Sequence, residues 1–168
     1  FSDLSESNGT TVRARRIWDA LDKDSEVTLI GGKTRGRNYQ SSDRIRYISL
    51  PRARQFFQIP VWLLGLFRIL LKNRFEVVIC SNDWFGFIVV FPLSLIYKYH
   101  VVFEAHGILS EEYHVLGRSK VVVQFARLLE KQVAKRVNAI VALSQGIFDF
   151  YGKYNAHIEL IPVFVDTE

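Results

Sequence analysis

The chain has no methionine, a single cysteine and four prolines among 168 residues. Without methionine, and opening on Phe1, it reads as a piece of a longer polypeptide. The lone Cys80 excludes an intramolecular disulfide, so a disulfide-stapled secreted domain is ruled out and a reducing compartment is expected. The thiol sits in an apolar run, where cysteine behaves as a small core residue. No basic-then-apolar leader opens the chain, so no secretory signal is expected. Nor is there an apolar run long enough to cross a bilayer. The most apolar window, residues 84–97, contains Pro92 and falls short of the ~20 residues a span needs, so it reads as a buried core helix. The four histidines, His100, His106, His114 and His157, make no spaced cluster with Cys80, and no metal site is expected. The segment Gly32-Lys33-Thr34 has the tail of a phosphate-binding loop, but Val27 stands where such a loop requires glycine.

Hydrophobic residues make up 49% of the chain, enough to bury a core and to exclude a disordered segment. The formal net charge of +5 favours anionic partners. Nucleic acid is not expected among them, because no basic-aromatic recognition motif is present. The chain length fits one domain.

The apolar pattern alternates between two periods. Helical periodicity covers residues 10–23, 55–72, 85–97, 120–136 and 145–151. Pro60 is expected to bend or interrupt the second of these. Short apolar runs at 27–30, 45–50, 77–80, 100–105, 139–143 and 158–161 read as strands, the first ended by Gly31-Gly32. Residues 33–43, and the segment holding Glu111 and Glu112, read as loops. Strands that are apolar throughout and separated by helices imply a parallel sheet covered on both sides. The expected fold is therefore α/β: a Rossmann-like, doubly wound parallel sheet with helices on both faces.

In such a fold ligands gather at the carboxyl ends of the strands. The candidates there are Ser7-Asn8-Gly9, Gly31-Gly32, Ser81-Asn82-Asp83, His106-Gly107 and Ser144. Asn8 and Gly9 precede a helix, whose free N–H groups suit a phosphate, although Asn8 or Thr10 can equally be a plain helix cap. His106, next to Gly107, can point into the crevice, with Glu111 and Glu112 nearby. Asp22-Lys23-Asp24 superficially matches a metal-binding acidic pair, but it ends the first helix on the far edge and reads as solvated charge. Arg52, Arg54 and Arg68 interleave with Phe56, Phe57, Trp62 and Phe67. That stretch suits a helix with one face on the sheet, or one lying at a membrane surface.

Several of these segments together carry a family resemblance. Cys80-Ser81-Asn82-Asp83-Trp84 is similar to a His-x-His-Asp strand end, and residues 101–107 (Val-Val-Phe-Glu-Ala-His-Gly) to a strand ending in His-Gly. Glu130 lies on a long helix that leads into 138–144 (Asn-Ala-Ile-Val-Ala-Leu-Ser). Residues 161–166 (Ile-Pro-Val-Phe-Val-Asp) are similar to a closing Ile-Pro-Asn-Gly-Val-Asp turn. In order and spacing the chain resembles the N-terminal, acceptor-side half of retaining glycosyltransferases of the two-Rossmann GT-B fold, glycosyltransferase family 4. Departures are Cys80 and Asn82 in place of histidines, Asn138 in place of aspartate, Val163-Phe164 in place of Asn-Gly, and one glycine in the first loop.

The resemblance implies an N-terminal domain over residues 1–162, with 163–168 opening a linker to a nucleotide-sugar-binding half. It implies a nucleotide-sugar donor, a glycan or lipid-linked acceptor, no cofactor and no metal. His106 would be catalytic and contact the transferred sugar. Asn8, Gly9 and Ser144 would serve the donor phosphates and cleft. Asp83, Gly107 and Glu111 would line the acceptor-side crevice. A cytoplasmic location is expected, with peripheral contact at the inner face of the membrane. The alternatives left open are a nucleotide-sugar epimerase half and a non-catalytic Rossmann-like binding module.

Overall fold

The computed structural model describes residues 26–34, 45–50 and 55–162. The chain forms two compact units, Phe1–Asn73 and Arg74–Glu168. The expected first helix, Asn8, Gly9, the Asp22-Lys23-Asp24 segment, Arg52, Arg54 and residues 163–168 lie outside the described residues.

In the first unit, β1 (Leu29–Thr34) pairs in parallel with β2 (Ile45–Leu50), from Leu29 opposite Ile45 to Thr34 opposite Leu50. The glycine pair does not end β1, as the sequence suggested. Gly31 and Gly32 are buried mid-strand, opposite Tyr47 and Ile48. The ladder to β2 fixes an extended backbone there and overrides glycine's turn tendency. Lys33 and Thr34 belong to the same strand, so the phosphate-loop tail is a strand end.

Helix α1 (Gln55–Lys72) continues through Pro60, which lies in its second turn. Trp62, Leu66 and Leu70, four residues apart, are buried along one stripe, while Phe57, Leu64, Phe67 and Leu71 are exposed. Gly65 lets α1 approach β2 closely. A Cβ there would lie 2.5 Å from Ile48 Cγ2 and 3.0 Å from Cγ1. Gly65→Ala would favour an isolated helix by about 1 kcal/mol. Here it is expected to destabilise by roughly 1–3 kcal/mol, because Ile48 is itself buried and cannot swing away. Unfolding of Gly65→Ala beside wild type checks this; a stabilised variant contradicts the tight α1–β2 contact.

The second unit is a four-stranded parallel sheet in the order β3-β4-β5-β6: Val77–Ser81, His100–Ala105, Ala139–Ala142 and Ile158–Leu160. Helices connect each pair, as parallel strands require. Helix α2 (Phe87–Tyr97) joins β3 to β4, α3 (Leu109–Val115) and α4 (Lys120–Arg136) join β4 to β5, and α5 (Gln145–Tyr151) joins β5 to β6. Val101, Phe103, Ile140, Val133, Val90 and Tyr151 are fully buried and form the core. Trp84 packs on Phe103 with ring centroids 4.5 Å apart. Cys80 is buried, and burial followed by the nearby Asp83 carboxylate pushes its thiol pKa far up, so it is an inert core residue.

Helix α2 starts at Phe87, after a turn in which Gly86 N–H donates to Asp83 Oδ1 at 2.9 Å. The segment with Glu111 and Glu112 is helix α3, not a loop. Its two turns are too short to show a period, and its N-cap, Ile108, makes no side-chain cap. Asn138 performs a task any carboxylate acceptor would share. Its Oδ1 accepts the Val101 N–H at 2.7 Å, locking the start of β5 to β4.

Candidate functional site

Strands β3 and β4 pair with Ser81 opposite Glu104. Period two puts Glu104 on the same side as His106. Glu104 is buried, and its Oε2 accepts the Ser81 hydroxyl at 2.5 Å and lies 3.0 Å from His106 Nε2. His106 Nε2 is also 3.2 Å from Ser81 Oγ. A buried carboxylate needs such partners, and in return it fixes the imidazole. Beyond Ser81 the backbone turns through Asn82 at φ 49°, a left-handed conformation that asparagine tolerates better than most residues, while Asn82 N–H still donates to Glu104 O at 2.9 Å. Glu104 was not anticipated as a site residue. The available signal was a charged residue within an apolar strand, two positions before the histidine.

At the carboxyl ends of β4 and β5 lies an open hollow of about 670 Å³. One wall is the His106–Gly107–Ile108 turn, a second is α3 with Glu111, Glu112, Val115 and Leu116, and the third is the start of α5 with Ser144, Gly146 and Ile147. The structure thus brings together His106, Gly107, Glu111 and Ser144. Ser144 both lines the hollow and caps α5, accepting the Ile147 N–H at 3.4 Å. Asp83 stands apart from the hollow, buried in the turn that leads into α2. A Cβ on Gly107 would meet only the far end of the exposed Glu112 side chain, which would have to swing aside. Among the described residues no three His, Cys, Asp or Glu side chains gather as a metal site.

Behind the hollow is a second buried acid. Glu130 on α4 is fully buried, and the Tyr151 hydroxyl donates to its Oε1 at 3.0 Å. The same hydroxyl is 3.4 Å from Gly107 O, so Tyr151 ties α4 to the histidine turn. Burial raises the Glu130 pKa. The Ser110 and Tyr151 hydroxyls and the Ser110 and Leu109 N–H groups pull the other way. Geometrically the site is less complete than this balance: neither Glu130 Oε2 nor Ser110 Oγ has a hydrogen-bond partner.

A carboxyl whose folded-state pKa is raised binds its proton more readily folded than unfolded. Its full contribution is present below the ordinary value of 4.5 and is lost as pH climbs through the higher folded value. Wild type is therefore expected to lose stability relative to Glu130→Gln as pH rises from 4.5 through the higher folded value, and to run parallel to it beyond. Melting temperatures of the two across pH test this, and curves parallel throughout contradict it.

A parallel α/β domain with helices between successive strands belongs to the Rossmann-like class, in which ligands gather at the strand ends where the open hollow lies. The family model of Glycosyltransferase Family 4 matches residues 7–168, and the chain belongs to that family. Its fold is that of the N-terminal half of a GT-B glycosyltransferase. Sucrose-phosphate synthase from Thermosynechococcus elongatus superposes with a TM-score of 0.69 at 17% identity, over 94% of this chain and 43% of that one. A second structure of the same synthase gives a TM-score of 0.64 at 15% identity, over 92% of this chain and 86% of that one. The chain thus spans less than half the length of the first. No curated protein matches the sequence. Among the described residues no helix is long and apolar enough to cross a membrane.

Proposed function

We propose that this chain is the acceptor-side half of an enzyme that moves a sugar from a nucleotide-sugar to a glycan or lipid-linked acceptor with retention of configuration. The observation that carries this reading is the His106 turn. In a glycosyltransferase family chain, a histidine held by a buried carboxylate and a serine lines the hollow at the strand ends. In this reading His106 faces the transferred sugar, Ser144 lines the cleft, and the backbone at Asn8 and Gly9 approaches the donor diphosphate. Gly107 and Glu111 form the acceptor side. The sugar's C1–O bond to the diphosphate breaks, C1 bonds to an acceptor hydroxyl oxygen, and that hydroxyl's proton passes to the leaving diphosphate. The leaving diphosphate takes up negative charge, which backbone dipoles and cations stabilise. The groups holding the diphosphate belong to a second half, so the 168 residues alone transfer negligibly. No resident cofactor or metal enters this scheme, and the place of work is the cytoplasmic side of a membrane.

The test is to incubate the full-length protein and the isolated chain with a panel of nucleotide sugars, and to read the anomeric configuration of any product. Turnover by the full-length protein alone, with configuration kept, supports the reading. An inverted product removes the retaining part, an epimerised sugar points to the epimerase, and robust turnover by the isolated chain contradicts the two-half scheme.

A further inference from the structure

Helix α4 is apolar on two opposite faces. One, with Val123, Ala126, Glu130, Val133 and Ala134, is buried against the domain. The other carries Val121 (75% exposed), Phe125 (67%) and Leu128 (55%), spaced four and three residues apart. Among the described residues nothing covers this second stripe. It continues through the α3–α4 elbow, where Val115 is 84% and Leu116 66% exposed. Five strongly exposed large apolar side chains within fourteen residues mark a contact site rather than ordinary solvent-facing scatter.

Charge identifies the occupant. Beyond Val115 and as far as Lys131 the exposed charged residues are Arg118, Lys120, Arg127 and Lys131, all basic, and Glu130 is fully buried; the exposed acids of α3, Glu111 and Glu112, line the hollow. Lys120, Arg127 and Lys131 follow one another at helical spacing and form a basic flank beside the apolar stripe. An apolar stripe edged by a basic one is what a helix lying in the surface of an anionic bilayer presents. A second copy of this face would bring like charges together, and nucleic acid has no use for the apolar stripe.

The elbow is also continuous with the hollow, since Val115 and Leu116 line both. We propose that the α3–α4 elbow seats on an anionic lipid bilayer and delivers a membrane-embedded, lipid-linked acceptor to the His106 hollow. The choice of acceptor rests on the transferase reading; the docking surface does not.

The experiment is co-sedimentation of the full-length protein with vesicles of phosphatidylcholine alone or mixed with phosphatidylglycerol, at low and high salt. Wild type is expected to bind the mixed vesicles at low salt and to release as salt rises. Phe125→Glu is expected to weaken binding roughly tenfold or more, with its melting temperature unchanged because that side chain faces outward. Arg118→Glu combined with Lys120→Glu is expected to abolish the preference for phosphatidylglycerol. The proposal is overturned if wild type ignores mixed vesicles, or if Phe125→Glu binds as wild type does. It is equally overturned if Phe125→Glu lowers the melting temperature or changes the mass in solution, because the stripe is then covered by the rest of the protein or by a second copy. Vesicle binding is read without a donor, so its failure leaves the transferase reading standing. A protein that binds vesicles but consumes no nucleotide-sugar sinks that reading alone.

Discussion

His106→Ala is expected to lower sugar transfer by the full-length protein about a hundredfold or more. A preorganised polar group beside the reacting centre is worth a loss of that order when removed. The same substitution is expected to cost about 1–3 kcal/mol of stability, because the buried Glu104 loses a partner. The side chain lies at the edge of the hollow rather than in the core, so truncation opens no large cavity. Glu104→Gln separates positioning from contact. Glutamine keeps an acceptor for Ser81 but loses the charge opposite His106, so a smaller loss than in His106→Ala is expected, with an altered pH profile. Equal activity of wild type and His106→Ala across donor concentrations contradicts the assignment.

Tyr151→Ala is expected to be the most damaging single change to the domain, at about 3–5 kcal/mol. Tyr151 is fully buried, packs against Trp84 and Phe150, and reaches both Glu130 and the Gly107 carbonyl. Removing the ring leaves a cavity and strips a buried acid of its donor. Tyr151→Phe isolates the second effect, with an expected cost of about 1–3 kcal/mol. Burial, the Glu130 charge and the hydrogen bond to Glu130 all push the Tyr151 pKa far up, so the hydroxyl stays a donor at ordinary pH. Hydrogen exchange separates the local consequence from global unfolding: in Tyr151→Phe the amides of α3 and of residues 106–109 are expected to lose protection first. Uniform loss of protection contradicts the link between Tyr151 and the histidine turn.

The fold was largely legible because its two periods are clean where burial is strong. The strand His100–Ala105 and the helices Lys120–Arg136 and Gln145–Tyr151 fall where the apolar pattern puts them. Legibility failed where tertiary contact overrode local tendency. Gly31-Gly32 reads as a stop but is held extended by pairing with β2. Helix α3 is too short for a period, and it is held by packing against α4, which no local reading reveals. For the site, the strand-end rule and the His-Gly resemblance pointed to His106, Gly107 and Ser144, which share one hollow with Glu111. Asp83 obeyed the same rule, yet its carboxylate serves a turn. Glu104 and Tyr151 were passed over because each lies inside an apolar segment, and their importance comes from pairings across 23 and 21 residues.

The central claim is that the hollow beside His106 is the sugar-facing wall of a transferase. Photolabelling of the full-length protein with a nucleotide-sugar analogue bearing its reactive group on the sugar tests this most directly. The expected result is a label on the peptide spanning residues 106–116 or on that spanning 144–147, suppressed by unlabelled donor. A label confined to other peptides, or one that donor does not displace, contradicts the claim.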